Sequence, residues 1–165
     1  MNIQDVRLIY NYNYWARDRI LIAASQVTPA QYEAPAAFPY GSLRSTLLHT
    51  LDAERSWRHM FEYGHWTPDL LESDYPTLPI LEEAWLAEEA AMRAYLDRLT
   101  DTDLQRVVAY AADEGYHRRR ILWHCLHHVV NHGTQHRAEA AAMLTGYGVS
   151  PGDLDFTLFL NERGA

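Results

Sequence analysis

Residues 3–25 carry apolar side chains at helical intervals. Leu8, Tyr12, Trp15, Ile20 and Ala23 recur at three- to five-residue steps with no Pro or Gly among them, and that period predicts an amphipathic helix. Residues 27–41 hold three prolines and predict a connection with little regular structure. Ser42 offers the oxygen that an N-cap needs, so a second long helix is predicted to run from there to Tyr63 and to end at Gly64. Pro68, Pro76 and Pro79 then punctuate a loop, and residues 81–99, rich in Ala, Glu and Leu, predict a third long helix.

Between residues 104 and 120 the period shortens. Val107 to Tyr110 reads as a strand, Asp113, Glu114 and Gly115 as a turn, and Tyr116 onward as a second strand. Residues 121–144 then predict a long helix stopped by Gly146 and Gly148, and residues 154–161 a short final helix or turn. Four long helices joined by loops of mixed length, with no repeat and no interdomain linker, predict an all-α four-helix bundle. It occupies residues 1–165 as one domain, with a short β-hairpin between the third and fourth long helices.

Composition narrows the function classes. A chain of 165 residues, 48% hydrophobic, can bury one sizeable core, and eleven Tyr with five Trp argue against disorder. The formal charge is −8, and the only basic run is Arg118, Arg119 and Arg120. Nucleic acid and anionic membrane surfaces need a basic footprint, so neither is an expected partner. No run approaches the ~18 apolar residues of a membrane span, and the N-terminus lacks the basic-then-apolar pattern of a secretory signal. Cys125 is the single cysteine, so no intramolecular disulfide can form. A cytoplasmic protein is expected.

The candidate chemistry lies in the histidines. Five of the nine fall between His124 and His136, on one predicted helix. Imidazole is the commonest protein ligand for metals, and two histidines four residues apart on a helix can share an ion. His124/His128, His128/His132 and His132/His136 all have that spacing. With Leu122 at zero and about 100° per residue, the apolar stripe spans roughly 340° to 40°, His136 lies near roughly 320° and His132 near roughly 280°. On the same wheel His128, His124 and His127 fall progressively toward solvent, near roughly 240°, 200° and 140°. The His132/His136 pair therefore suits an inward-facing site best. A third ligand must come from another helix, with His49, His59, His65 or a carboxylate such as Glu54 available.

The string from His128 through Val, Val, Asn, His132, Gly, Thr, Gln, His136 and Arg137 to Thr145-Gly146 closely resembles the last helix of the DinB/YfiT-like superfamily. Gly41 through His49 to Ala53, Glu54 and Trp57 is similar to that family's second helix. Tyr14-Trp15-Ala16 and Asp153-Leu-Asp155 are also similar to its layout. The resemblance covers nearly the whole chain. It implies a four-helix bundle with a mononuclear centre whose ligands are His49, His132 and His136, and a homodimeric assembly. Two departures stand out: Ala138-Glu139 where the family often has Gly-Gln, and Gln135 where an aromatic or His is frequent.

Three histidines leave metal positions open, the arrangement of catalytic rather than structural sites. Zinc and nickel are the metals expected for an all-imidazole donor set. The resemblance adds that some relatives are transferases or isomerases using low-molecular-weight thiols, so a metal-dependent thiol S-transferase or hydrolase is expected. The alternative is a non-catalytic metal-binding helical dimer with a binding or stress-related role. Around the centre, Glu54 is a candidate base or imidazole-orienting partner, and Cys125 a candidate neighbour of the site. His128 is a candidate second-layer group, Arg137 a candidate anion contact, and Tyr110 and Tyr116 candidate pocket walls.

Overall fold

The computed structural model describes residues 1–111 and 115–164. Among them are six α-helices and one two-stranded antiparallel hairpin: α1 (Ile3–Ala24), α2 (Pro29–Glu33), α3 (Leu43–Tyr63), α4 (Leu78–Asp97), β1 (Val107–Ala111), β2 (His117–Ile121), α5 (Leu122–Gly146) and α6 (Phe156–Glu162). The four long helices α1, α3, α4 and α5 form the bundle, with α5 packed most extensively on α3 and α1. No described helix is long and apolar enough to cross a membrane.

Local chemistry explains the helix ends. The Asn2 side chain accepts from the backbone N–H groups of Gln4 and Asp5, and Asp5 returns the bond to the Asn2 backbone, a reciprocal capping box. Ser42 Oγ accepts from Ser45 N at 3.0 Å and opens α3, which closes on Gly64 at φ +80°, where a side chain would be strained. Two proline assignments need correction. Pro29 begins the short α2, held by a second capping box between Thr28 and Gln31, so residues 27–41 are not wholly irregular. Pro79 lies in the first turn of α4, where its missing N–H costs nothing, so that helix starts at Leu78 rather than residue 81.

The hairpin pairs Val107 with Ile121 and Tyr110 with Arg118. Of the turn predicted there, Asp113 and Glu114 lie outside the described residues.

The core has two apolar halves. Val6, Tyr10, Phe61, Met92, Leu122 and Leu126 belong to one, and Ile20, Leu43, Leu47, Leu81, Trp85 and Leu144 to the other. Near the middle of the bundle, buried polar side chains face one another: Asn13, Arg17, Glu54, Glu88, His136 and Arg137. His136 bonds within the histidine cluster, and the other five pair here. Tyr14 Oη donates to Glu54 Oε1 at 2.5 Å, Arg17 Nη2 to Glu89 Oε2 at 2.5 Å, Arg58 to both oxygens of Glu88, and Arg137 Nη1 to Asn13 Oδ1 at 2.5 Å. The apolar period of α1 marks only part of its buried face, which includes Ile20 and Ala23. Val6, Tyr10, Tyr14 and Ile20 are buried with Asn13 and Arg17, whereas Leu8, Tyr12 and Trp15 are half-buried. Tyr12 and Trp15 pack instead on Phe159 of α6.

Candidate metal centre

His49 sits two turns into α3, and His132 and His136 lie one turn apart on α5, the helix against which α3 packs. Their rings meet. His132 Nε2 is 3.1 Å from His49 Nε2 and 3.1 Å from His136 Nε2, and one ligand atom from each residue lies within 4.8 Å of the others. His136 is buried and the other two are half-buried.

An imidazole nitrogen carries one hydrogen or one lone pair, never both. His132 Nε2 therefore cannot act as donor to one neighbour and acceptor from the other. One linear hydrogen bond therefore satisfies only one of the two contacts at a time. A cation satisfies both. Ligand nitrogens 2.0–2.1 Å from a tetrahedral zinc lie about 3.3 Å from each other, close to the two 3.1 Å separations. The residues fit a divalent ion.

Their protonation state suits ligation as well. Burial first, and then the neighbouring His136 imidazole, push the His49 ring down to about 4 and the His132 ring down to about 3. Both are neutral at pH 7, the form that binds metals.

Two further residues complete the surroundings: Glu139, which the sequence showed only as a departure from the family pattern, and Tyr40, which it did not show. Glu139, three residues beyond His136, has Oε2 2.8 Å from His136 Nδ1. A carboxylate can only accept there, so Nδ1 holds the hydrogen and the Nε2 lone pair of the neutral ring is directed at the other histidines. Tyr40 lies in the connection before α3. Its ring stacks on His49 with centroids 3.8 Å apart and 17° between planes, and stands edge-on to His136 at 5.2 Å. Burial, and then Glu139, raise the Tyr40 phenol above its ordinary value, so it stays protonated near neutrality. The His136/Glu139 spacing was a readable signal. Nothing in local sequence brings Tyr40 to the histidines.

The other candidates sit elsewhere. Glu54 is buried at the waist, where Tyr14 Oη and Trp85 Nε1 donate to it, rather than beside an imidazole. Cys125 is buried in one apolar half, and burial pushes its thiol up to about 11. Arg137 is 3% exposed, so it presents no guanidinium to a surface anion. Its Nη2 donates to Thr134 and its Nη1 to Asn13. His128 is exposed, with its ring 5.8 Å from His132 and edge-on to Trp57 at 5.3 Å. His59 and His65 meet each other at the far end of α3, with ring centroids 4.7 Å apart. Tyr110 lines a cavity, and Tyr116 is 65% exposed.

The DinB family pattern matches residues 1–164. Protein DinB of Bacillus subtilis (strain 168) is 23% identical over 164 residues, spanning 93% of this chain and 94% of its own length.

Proposed function

The chain belongs to the DinB family, and on that premise we propose that it binds one divalent metal through the Nε2 atoms of His49, His132 and His136 and uses it in catalysis. The observation that carries the reading is the convergence of three imidazole nitrogens from two helices, two of the separations being 3.1 Å. Zinc and nickel both suit an all-imidazole donor set.

A catalytic rather than structural role is supported by two points. Structural zinc sites are usually closed by four protein ligands, whereas three leave a position open. The bundle also has its own apolar core on either side of the waist. When bound at such a site, a divalent ion lowers the pKa of water toward neutrality or ionises a thiol, so the proposed reaction is thiol S-transfer or hydrolysis. The chain's residues do the rest. Glu139 holds the Nδ1 hydrogen of His136 and fixes its ring. Tyr40 covers one face of His49 and narrows the approach to the centre.

Elemental analysis of the purified protein and of His49→Ala, His132→Ala and His136→Ala tests the site. Wild type is expected to carry a single ion per chain and each variant to lose it. Unchanged metal content in all three refutes the reading. A screen of small thiols then separates the reactions, since absence of any thiol effect leaves hydrolysis.

A further inference from the structure

The two helices that carry the histidines also wall a cavity of about 590 Å³. Ala53 and Ser56, one and two turns beyond His49 on α3, line it, and so does His128, one turn before His132 on α5. Residues at those spacings share a helix face. The ridges that bear the histidines therefore continue toward the cavity, whose lining includes His128 but none of the three. A second cavity of about 270 Å³ shares His128, Trp57 and Tyr110 with the first and extends it to Arg120.

The walls are aromatic and pinned. Trp57 stands edge-on to Trp66 and to Tyr110, each with centroids 5.0 Å away. Trp66 Nε1 donates to Ala111 O at 2.9 Å, tying the loop after α3 to β1. Arg55 Nη1 donates to Thr67 Oγ1 at 3.1 Å and to Pro68 O at 3.0 Å, which fixes the same loop to α3. The groove is thus formed before any ligand enters, and its volume lies within the usual range for small molecules, about 300–1,000 Å³.

Charge gives it a direction. Arg118 lines the larger cavity and Arg120 the smaller. Alternate residues of a strand share a face, so β2 presents the two guanidinium groups on the same side, with backbones roughly 6.6 Å apart. Among the described residues that line the larger cavity, the acid is Asp69, in the loop before α4. A planar carboxylate matches a guanidinium fork, and indole and phenol rings favour a flat unsaturated body.

We propose that this groove binds a small organic carboxylate with a flat, unsaturated body, the carboxylate toward Arg118 and Arg120 and the body against Trp57, Trp66 and Tyr110. That such a compound is the substrate of the metal centre rests on the function proposed above. The binding itself does not.

Titration of the full chain with 2-naphthoate, followed by tryptophan fluorescence and calorimetry, tests the site in chelator-treated and zinc-supplemented protein. Saturable binding is expected in both, with the neutral 2-naphthamide at least about 10-fold weaker. Both arginines are exposed on the strand, so R118Q/R120Q should fold normally. It is expected to bind naphthoate about 10-fold more weakly and naphthamide as wild type does, the range for loss of a charge-assisted contact. D69N should bind naphthoate as tightly as wild type or more so. No saturable binding, equal affinity for acid and amide, or an unaffected double-arginine variant overturns the proposal. Naphthoate binding by protein that takes up no metal sinks only the function proposed above, and metal uptake without naphthoate binding sinks only this groove.

Discussion

Glu139 accepts the Nδ1 hydrogen of His136 at 2.8 Å, both residues lying on the same face of α5. This contact sets the ring orientation and turns the opposite nitrogen toward the other histidines. E139Q keeps an acceptor but loses the charge. It is expected to weaken metal affinity about 10-fold, and E139A up to about 100-fold. Competition against a chromogenic chelator measures both, and wild-type affinity in the alanine variant would exclude the carboxylate from the centre.

Gly133 lies inside α5, one turn before Arg137. A Cβ there would lie 2.7 Å from Arg137 Nη1 and 3.1 Å from Asn13 Oδ1. In an exposed helix, Gly→Ala gains about 1 kcal/mol. Here the guanidinium is buried and held by Asn13 and Thr134, so it cannot swing aside without breaking those bonds. G133A is therefore expected to destabilise the protein by about 1–3 kcal/mol, read as a lower urea midpoint. A midpoint at or above that of wild type contradicts the close packing.

Cys125 tests burial through chemistry. Desolvation raises its thiol from 9.0 to about 11, which cuts the thiolate fraction at neutral pH about 100-fold. Alkylation of the folded protein by iodoacetamide is expected to be at least about 100-fold slower than in urea, and to accelerate as pH rises toward 11. Rapid labelling at pH 7 would show a thiol open to solvent.

At the waist, burial first and then the neighbouring Glu88 raise the Glu54 carboxyl above its ordinary value of 4.5, against the hydrogen bonds from Tyr14 and Trp85 that lower it. A folded-state value above the unfolded one favours folding at low pH, and that advantage disappears as pH rises through the folded value. E54Q has no such group. Wild-type stability relative to E54Q should therefore be greatest near pH 4 and decline toward pH 7, as urea midpoints across that range would report. The opposite slope would mean that the waist stabilises the ionised carboxylate.

How legible all this is from sequence varies by residue. Ser42 and Gly64 announce α3 because capping is local chemistry. His132 and His136 stand out on the wheel because helical spacing alone decides which imidazoles lean inward, and His124, His127 and His128 are indeed exposed. His49 could not be chosen from spacing, since the packing of α3 on α5 is a tertiary fact, and it was the family resemblance that pointed to it. The full buried face of α1 was not legible for a related reason. Asn13 and Arg17 are buried through partners on α5 and α4, so counting apolar side chains misses them. Thr28 and Gln31 did carry a readable box for α2, hidden by the density of prolines around it.

The waist has a geometric consequence. Apolar surfaces tolerate sliding, and two helices joined by leucines alone could settle a turn apart at small cost. A buried guanidinium or carboxylate cannot, because a one-turn slip strands it without its partner at a cost of several kcal/mol. Arg17 with Glu89, Tyr14 with Glu54 and Arg137 with Asn13 therefore act as dowel pins between neighbouring rods. Aligned this way, α3 and α5 deliver imidazoles from positions 83 residues apart in the chain to within 3.1 Å.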